Sequence, residues 1–274
     1  MDDRLRQTRM DGPFLKTALV LWGSALCGVF LVLPYVTTLE SRALAEAAVR
    51  SHLNVKALLA ISLIQSAVLL AIAVVVGLWA ARKLGLGTPL IDALLLRRPP
   101  PNKTLSTLLI AVVVGILTAL ALAMFDHWVF APIPSVAELI RKAESASAKP
   151  SAWQGFLASF YGALDEEILM RLGLLSLLTL TFRALAGLGR AKGGPALPSG
   201  AFWTANVVTA VLFGLGHLPA TAALAPLSTA LVVRAVVLNG TVGLVFGELY
   251  RRYGLEWAMA SHFGVDIIVH VALG

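Results

Sequence analysis

Long runs of apolar residues recur along the chain, separated by short loops rich in Arg, Pro and Gly. A helix needs ~20 residues to cross a bilayer at ~1.5 Å per residue, and each run is of this length. Membrane β-strands would be shorter and would alternate apolar with polar positions, so the pattern predicts helices. The predicted spans are Phe14–Val36, Ala57–Ala80, Leu105–Phe130, Ala152–Phe182, Ala201–His217, Leu224–Tyr250 and Leu255–Leu273.

These spans predict an all-α fold, a polytopic membrane bundle of seven to eight transmembrane helices. The eighth helix is an alternative because Ala152–Phe182 is longer than one span needs, and Pro219 and Pro226 interrupt another apolar stretch. We divide the chain into residues 1–150, which hold about three spans and their loops, and residues 151–274, which hold the polar groups described below.

The composition supports a membrane protein. Hydrophobic residues make up 58% of the chain and charged residues only 14%, whereas a soluble domain carries about 25% charged residues. The net charge of +7 does not predict a nucleic-acid partner, because no basic stretch is interleaved with exposed aromatic residues. Lys and Arg number fourteen in the loops on the side of the N-terminus and six in the loops on the other side. The positive-inside rule therefore predicts a cytoplasmic N-terminus.

Four charged residues interrupt the fourth apolar run. An ionised side chain near the bilayer centre costs about 2.5–3.5 kcal/mol, so such residues face the protein interior and usually have a function. Glu167 and Arg171 are spaced i, i+4 and are predicted to pair on one helix face. Glu166 points about 100° away from Glu167 and has no partner on its own helix.

Two further runs carry polar residues. His217 ends the fifth run, and His262 and Asp266 are spaced i, i+4 in the last, so that their side chains converge on one face. If Glu166 and these three residues meet in one pocket, they form a water-activating site, which Asn239 lines from a fourth helix. The same four residues are the candidate ligands of a divalent metal such as zinc, so a metal remains an alternative.

Three motifs resemble those of the CPBP family, the CAAX-prenyl-endopeptidase and bacteriocin-processing proteins, also called the Abi family. The family pattern is E-E-x-x-x-R, then F-x-x-x-H, then H-x-x-x-N/D on successive membrane helices. In this chain the motifs are Glu166-Glu167-Ile168-Leu169-Met170-Arg171, Phe213-Gly214-Leu215-Gly216-His217 and His262-Phe263-Gly264-Val265-Asp266. The resemblance covers Ala152–Gly274, and the first three spans match by length and hydrophobicity only.

The resemblance implies an intramembrane endopeptidase of a bacterial inner membrane, with a glutamic or metal-assisted mechanism. By analogy, Glu166 is the catalytic glutamate, His217 helps to hold the attacking water, and His262 with residue 266 stabilises the oxyanion. Glu167, Arg171, Phe213 and Asn239 would support these groups. The prenyl-protein endopeptidases carry Asn where this chain has Asp266, and an ionised carboxylate cannot donate a hydrogen bond to an oxyanion.

The predicted function is hydrolysis of a peptide bond in a membrane-associated peptide or a prenylated protein, with membrane lipid as the second partner. Two alternatives come from other classes. A proton-coupled transporter would use buried Glu and His residues as a proton relay, although the chain shows no repeat symmetry. A non-catalytic membrane chaperone or immunity partner would not need the intact Glu and His set.

Overall fold

The structure, a computed structural model, describes residues 13–145, 149–187 and 197–273. These ranges are helical and contain no strand, which confirms the predicted all-α membrane protein. Six helical segments in them are long and apolar enough to cross a membrane, so the predicted seven to eight spans are not confirmed. The six are Phe14–Leu39, Val55–Leu84, Thr104–Phe130, Ala152–Leu185, Ser199–Leu224 and Thr229–Arg252.

The described ranges contain twelve α-helices and four π-helical segments. The α-helices are α1 Phe14–Leu39, α2 Ser41–Ser51, α3 Val55–Leu84, α4 Pro89–Leu95, α5 Thr104–Phe125, α6 Pro134–Glu144, α7 Ala152–Tyr161, α8 Ser176–Leu185, α9 Ser199–Gly216, α10 Leu218–Leu224, α11 Thr229–Arg252 and α12 Leu255–Asp266. The π-helical segments are Asp126–Phe130, Gly162–Glu166, Ile168–Leu175 and Ile267–Ala272.

Two differences from the predicted spans have simple physical causes. The over-long run Ala152–Phe182 is one helical unit, whose middle is wound as π-helix rather than broken into two spans. The sixth span begins at Thr229 rather than Leu224, because Leu224 ends the short helix α10. Pro226 comes two residues after Leu224, and its missing N–H prevents the helix from continuing.

The seventh predicted span, Leu255–Leu273, is helical as α12 and the π-helical segment after it, yet it is not among the six apolar candidates. It carries Glu256, His262, Asp266 and His270. Its residues before Ile267 are mostly buried inside the bundle rather than turned to lipid. The polar groups that mark this helix as functional therefore also lower its hydropathy.

One end of the bundle, which we call the basic end, is held by contacts among basic and polar residues. The Arg82 guanidinium lies 5.1 Å from the centre of the Phe14 ring. Arg183 donates to the Lys83 carbonyl at 3.3 Å. The Leu255 amide, at the start of α12, donates to the Gly87 carbonyl at 3.0 Å. The start of α1, the end of α3, the end of α8 and the start of α12 therefore meet at this end.

The opposite end, which we call the cleft end, has its own set of cross-links. The Gln154 amide, in the first turn of α7, donates to the Pro34 carbonyl of α1 at 2.8 Å. Arg234 of α11 binds both carboxylate oxygens of Asp126, at 2.7 and 2.6 Å. Chain direction thus alternates between the two ends from one span to the next.

The N-terminal spans pack directly on the C-terminal part of the chain. Helix α1 packs on α7, α3 packs on the segment Ile168–Leu175, and α5 packs on α12. Close packing of small residues drives helix association in lipid. At Gly77 a Cβ atom would lie only 2.6 Å from the Leu172 carbonyl oxygen. The division into residues 1–150 and 151–274 stays a prediction.

Candidate active site

Two consecutive glutamates of the fourth membrane segment have different surroundings. Glu166 ends the π-helical segment Gly162–Glu166, and Glu167 lies between that segment and the next one. The Glu167 side chain is fully buried, whereas that of Glu166 is 26% exposed. Neighbouring helical residues point about 100° apart. The Glu167 carboxylate therefore points into the packed interior, and the Glu166 carboxylate points toward a more open region.

The buried carboxylate of Glu167 binds two residues with one oxygen. Its Oε1 accepts a hydrogen bond from His262 Nδ1 at 2.8 Å and lies 3.2 Å from Arg171 Nη1. A carboxylate oxygen accepts, so Nδ1 of the imidazole carries the hydrogen. The other ring nitrogen, Nε2, is then left for the reaction space. Glu167 therefore pairs with Arg171, as its spacing predicts, and also orients His262.

Arg171 is enclosed by three kinds of contact. Its Nη2 donates to the Gly243 carbonyl of α11 at 3.2 Å. The rings of Phe213 and Phe246 lie 4.7 and 5.1 Å from the guanidinium carbon, within cation–π range. Removing one partner of such a buried ion pair costs about 3–5 kcal/mol, because the other charge is left uncompensated. Phe213 thus contacts the arginine directly, and its role as a supporting residue stays a prediction.

The free nitrogen of His262 faces two more carboxylates. Nε2 lies 3.7 Å from Glu166 Oε2 and 3.6 Å from Asp266 Oδ1. Both distances are too long for direct hydrogen bonds and suit groups that share a water molecule. The ring stacks on Phe246 with the centres 4.6 Å apart. The structure thus brings together three of the four predicted catalytic residues, and Glu167 with them.

His217 lies beside this group rather than within it. Its Nδ1 is 2.8 Å from the Phe213 carbonyl, which can only accept, so this Nδ1 also carries the hydrogen. The Phe213 ring contacts both imidazoles edge to face, with its centre 4.9 Å from that of His217 and 6.0 Å from that of His262. Within the described residues, His217 has no carboxylate at ion-pair distance.

His217 and Asn239 instead line a cleft of about 280 Å³ at the cleft end. The Asn239 amide donates to the Ala235 carbonyl of its own helix at 3.1 Å. Its side-chain oxygen makes no hydrogen bond to the described residues. The structure places Asn239 in the cleft that contains His217. That Asn239 also lines the same pocket as Glu166 stays a prediction.

Two residues outside the three motifs extend the site. His270 Nε2 lies 3.9 Å from Asp266 Oδ1, and the hydroxyl of Tyr35 lies 3.1 Å from His270 Nδ1. Neither residue was predicted from the sequence to belong to the site. His270 follows Asp266 by four residues, so its helical spacing was a signal that could have found it. Tyr35 comes from α1, far away in the sequence, and no pattern connects it to the motifs.

The predicted metal ligands do not form a chelating set. Across residues 13–145, 149–187 and 197–273, no group of three or more His, Cys, Asp or Glu side chains is arranged to hold a metal ion. His262 and His217 each use Nδ1 for a hydrogen bond to the protein, which leaves Nε2 as the one ring nitrogen of each that could face a metal. A zinc site needs three or four converging donors, so these residues do not fit one as they stand.

A polytopic helical membrane protein with carboxylates and imidazoles inside the bundle has the groups of an intramembrane hydrolase. Residues 148–268 match the family model described as type II CAAX prenyl endopeptidase Rce1-like. This part of the chain is therefore an Rce1-like domain, which confirms the resemblance to the CPBP family. The matched residues include all three motifs. No curated protein and no solved structure was found to match the chain.

The Rce1-like family consists of CAAX-type intramembrane proteases, so the match to residues 148–268 supports a peptidase at the level of the family. The six apolar helices and this match support an integral membrane protein, and a protease family implies a peptide or protein substrate. The family match does not depend on where the individual side chains lie, and the roles of the site residues remain predictions.

Gly162 tests whether the spacing around His262 matters. A Cβ atom at this position would overlap Asp266 Oδ2 and lie 2.9 Å from His262 Nε2. We expect Gly162→Ala to displace both groups and to lower the rate of peptide cleavage about 100-fold, as misplacement by about 1 Å does elsewhere. The rate is measured on purified protein in detergent micelles, with gel filtration as a check on folding.

Gly216→Ala is the matched control, because a Cβ there has no neighbour within 4 Å although it adjoins His217. It should cleave at the wild-type rate. A folded Gly162→Ala protein that is as active as this control would show that His262 and Asp266 need no fixed spacing.

Proposed function

We propose that the protein is an intramembrane endopeptidase in which Glu166 activates a water molecule for direct attack on a peptide bond. One observation carries this proposal: His262 is placed between two adjacent glutamates of unlike environment. Glu167 is buried and holds Nδ1, while Glu166 is partly exposed and faces Nε2. Glu166 is thus the carboxylate free to take part in proton transfer.

Each group then has a step in the reaction. Glu166 takes a proton from the water as the water oxygen bonds to the carbonyl carbon. The carbon–nitrogen bond then breaks, and the proton held by Glu166 passes to the leaving amine. Protonated His262 donates Nε2–H to the oxyanion, while Glu167 keeps the ring in place. His217, whose Nδ1 is fixed by the Phe213 carbonyl, presents Nε2 to the water or to the peptide from the cleft.

Asp266 has the role that Asn plays in the prenyl-protein endopeptidases. We assign it to the oxyanion, as a hydrogen-bond donor in its protonated form, because only that form can donate. Asp266 Oδ1 lies 3.6 Å from His262 Nε2, so one anionic oxygen could contact both groups. Preorganised donors of this kind commonly contribute 10²–10³ in rate.

No step of the proposed reaction uses a metal ion. The four candidate ligands lack the convergence that a zinc site needs. Glutamate and imidazole groups supply proton transfer and oxyanion stabilisation without one. The substrate class follows from the family, whose members act on CAAX prenyl proteins by their description, and we propose a membrane-associated peptide or a lipidated protein.

Glu166→Gln should abolish cleavage and leave the protein folded. The amide has nearly the same shape but cannot accept the water's proton, and loss of a general base commonly costs 10²–10⁴ in rate. Cleavage is measured with quenched-fluorescent peptides, with and without an S-prenyl cysteine, and folding by thermal unfolding. Glu144→Gln, at an exposed residue of α6, is the matched control and should be fully active. A fully active Glu166→Gln protein would end this assignment.

Two variants separate the possible roles of Asp266. If it donates a hydrogen bond to the oxyanion, Asp266→Asn should stay within about tenfold of wild type, because an amide N–H also donates. Asp266→Ala should then lose about 100-fold or more. Rates are compared in the same peptide assay. Equal losses in both variants would show that a carboxylate is required, for instance to orient His262.

A further inference from the structure

Tyr35 of α1 and His270 of the last π-helical segment form a contact of their own at the edge of the site. The Tyr35 hydroxyl lies 3.1 Å from His270 Nδ1, and the two rings meet edge to face with their centres 5.3 Å apart. His270 Nε2 lies 3.9 Å from Asp266 Oδ1. These three side chains thus form a series of polar contacts that leads from α1 to the group that we assign to the oxyanion.

The first turn of α7 holds this contact in place. The Gln154 side-chain nitrogen donates to the carbonyl of Pro34, the residue directly before Tyr35, at 2.8 Å. At Gly155, the next residue of α7, a Cβ atom would lie only 2.1 Å from the His270 carbonyl oxygen. A glycine is required where two backbones approach this closely. One helical turn therefore fixes the backbone beside Tyr35 and the backbone of His270 relative to each other.

The contacts favour one placement of the hydrogens. If the Tyr35 hydroxyl donates to His270 Nδ1, the ring hydrogen of the neutral imidazole is on Nε2. In the opposite direction, with Nδ1 donating to Tyr35, Nε2 would be a bare acceptor that faces the acceptor Oδ1 of Asp266. An N–H on Nε2 supplies this oxygen with a donor, and a separation of 3.9 Å suits a hydrogen bond through one shared water molecule.

The two carboxyl oxygens of Asp266 have different neighbours. Oδ1 lies 3.6 Å from His262 Nε2 and 3.9 Å from His270 Nε2. Oδ2 lies against the backbone of Gly162, where a Cβ atom would be 2.1 Å from this oxygen and 2.9 Å from His262 Nε2. Oδ2 and His262 Nε2 therefore face the same small space beside Gly162. A hydrogen on Oδ2 would point into the space into which His262 also donates.

A carboxyl group differs from an amide in how its donor is defined. An amide has its hydrogens on nitrogen only, so its donor and acceptor ends are fixed. In a protonated carboxyl group either oxygen can carry the hydrogen, and the surroundings select which one does. The prenyl-protein endopeptidases carry Asn where this chain has Asp266. This chain therefore needs a neighbouring group that selects the donor oxygen.

We propose that His270, oriented by Tyr35, is a positioning residue that makes Asp266 act as an amide would. The Nε2–H of His270 keeps Oδ1 as the accepting oxygen, so that Oδ2 carries the hydrogen and donates to the oxyanion. This inference rests on the proposed endopeptidase function. His270 and Tyr35 act through Asp266 and make no contact with the peptide in this scheme, and no covalent bond changes at either residue.

Cleavage rates in two backgrounds test this role. His270→Ala removes the N–H that selects the donor oxygen, so kcat should fall at least about tenfold, because a donor to the oxyanion acts only when it is correctly aimed. KM should stay within about twofold, since the lost interaction is made only in the transition state. In the Asp266→Asn background, His270→Ala should lower kcat by less than about twofold, because the amide needs no selection.

Two more variants separate positioning from a structural role. His270→Gln keeps an N–H donor near the position of Nε2, so its kcat should lie within about threefold of wild type. Tyr35→Phe should lower kcat about threefold in the wild-type background and leave it unchanged in the His270→Gln protein, whose amide has no tautomers. His127→Ala, at an exposed residue of another π-helical segment, is the matched control and should be fully active. Equal losses from His270→Ala in both backgrounds would overturn the proposal, because they would show a purely structural role.

A measurement that needs no activity tests the hydrogen bonds themselves. Nitrogen NMR of isotope-labelled histidine rings in micelles, at about pH 8.5 where neutral imidazole predominates, distinguishes the two tautomers. The His270 signals are those missing from the spectrum of His270→Gln. We expect the hydrogen on Nε2 in the wild type and a mixture of tautomers in Tyr35→Phe. A hydrogen on Nδ1 in the wild type would overturn the proposal. The expected tautomer in a wild-type protein that cleaves no peptide would instead reject the endopeptidase function and leave the hydrogen bonds standing.

Discussion

A buried ion pair between Glu167 and Arg171 connects the parts of this protein that form its site. One carboxylate oxygen contacts both the guanidinium and His262 Nδ1. The guanidinium in turn binds the Gly243 carbonyl of α11 and lies against the rings of Phe213 and Phe246. The fourth membrane segment, α9, α11 and α12 are therefore linked through two side chains.

Charges so deeply buried carry a large desolvation penalty, so the pair is poor support for stability as such. Its effect is to fix the positions of the side chains around it, His262 in particular. With Glu167 committed to His262 and Arg171, the neighbouring Glu166 is the carboxylate left to face open space. π-Helical segments lie on both sides of Glu167, and π-helical turns occur often at functional sites. The groups to which we assign proton transfer are held this way in a region of low dielectric, where electrostatic effects on a reaction are strong.

The sequence predicted the parts that depend on local spacing. Apolar runs indicated the helices, and the i, i+4 rule indicated the Glu167–Arg171 pair and placed His262 and Asp266 on one face. Asp266 and His270 are also spaced i, i+4, so the same rule would have added His270 to the site. The span count was less certain because α12 combines a buried helix with polar residues, which lowers its hydropathy below that of a typical membrane span.

These rules of local spacing do not predict contacts between helices that are distant in the sequence. The hydrogen bond between Glu167 and His262 joins residues 95 positions apart, and the contact of Tyr35 with His270 joins residues 235 apart. The position of His217 beside Phe213, in a cleft rather than among the carboxylates, depends on how α9 and α10 meet. A short motif identifies which residues belong to a site, and only the packing decides which of them touch.

The central role of the ion pair is tested most directly by a double-mutant cycle on the free energy of unfolding in mixed micelles, with Glu167→Gln, Arg171→Met and the two combined. If the ion pair holds the site together, each single variant leaves a buried charge unpaired and loses about 3–5 kcal/mol. The double variant, with no charge left to compensate, should then lie closer to wild type than either single one. Single losses that simply add in the double variant would show that the two side chains act independently, and would contradict the central role of this pair.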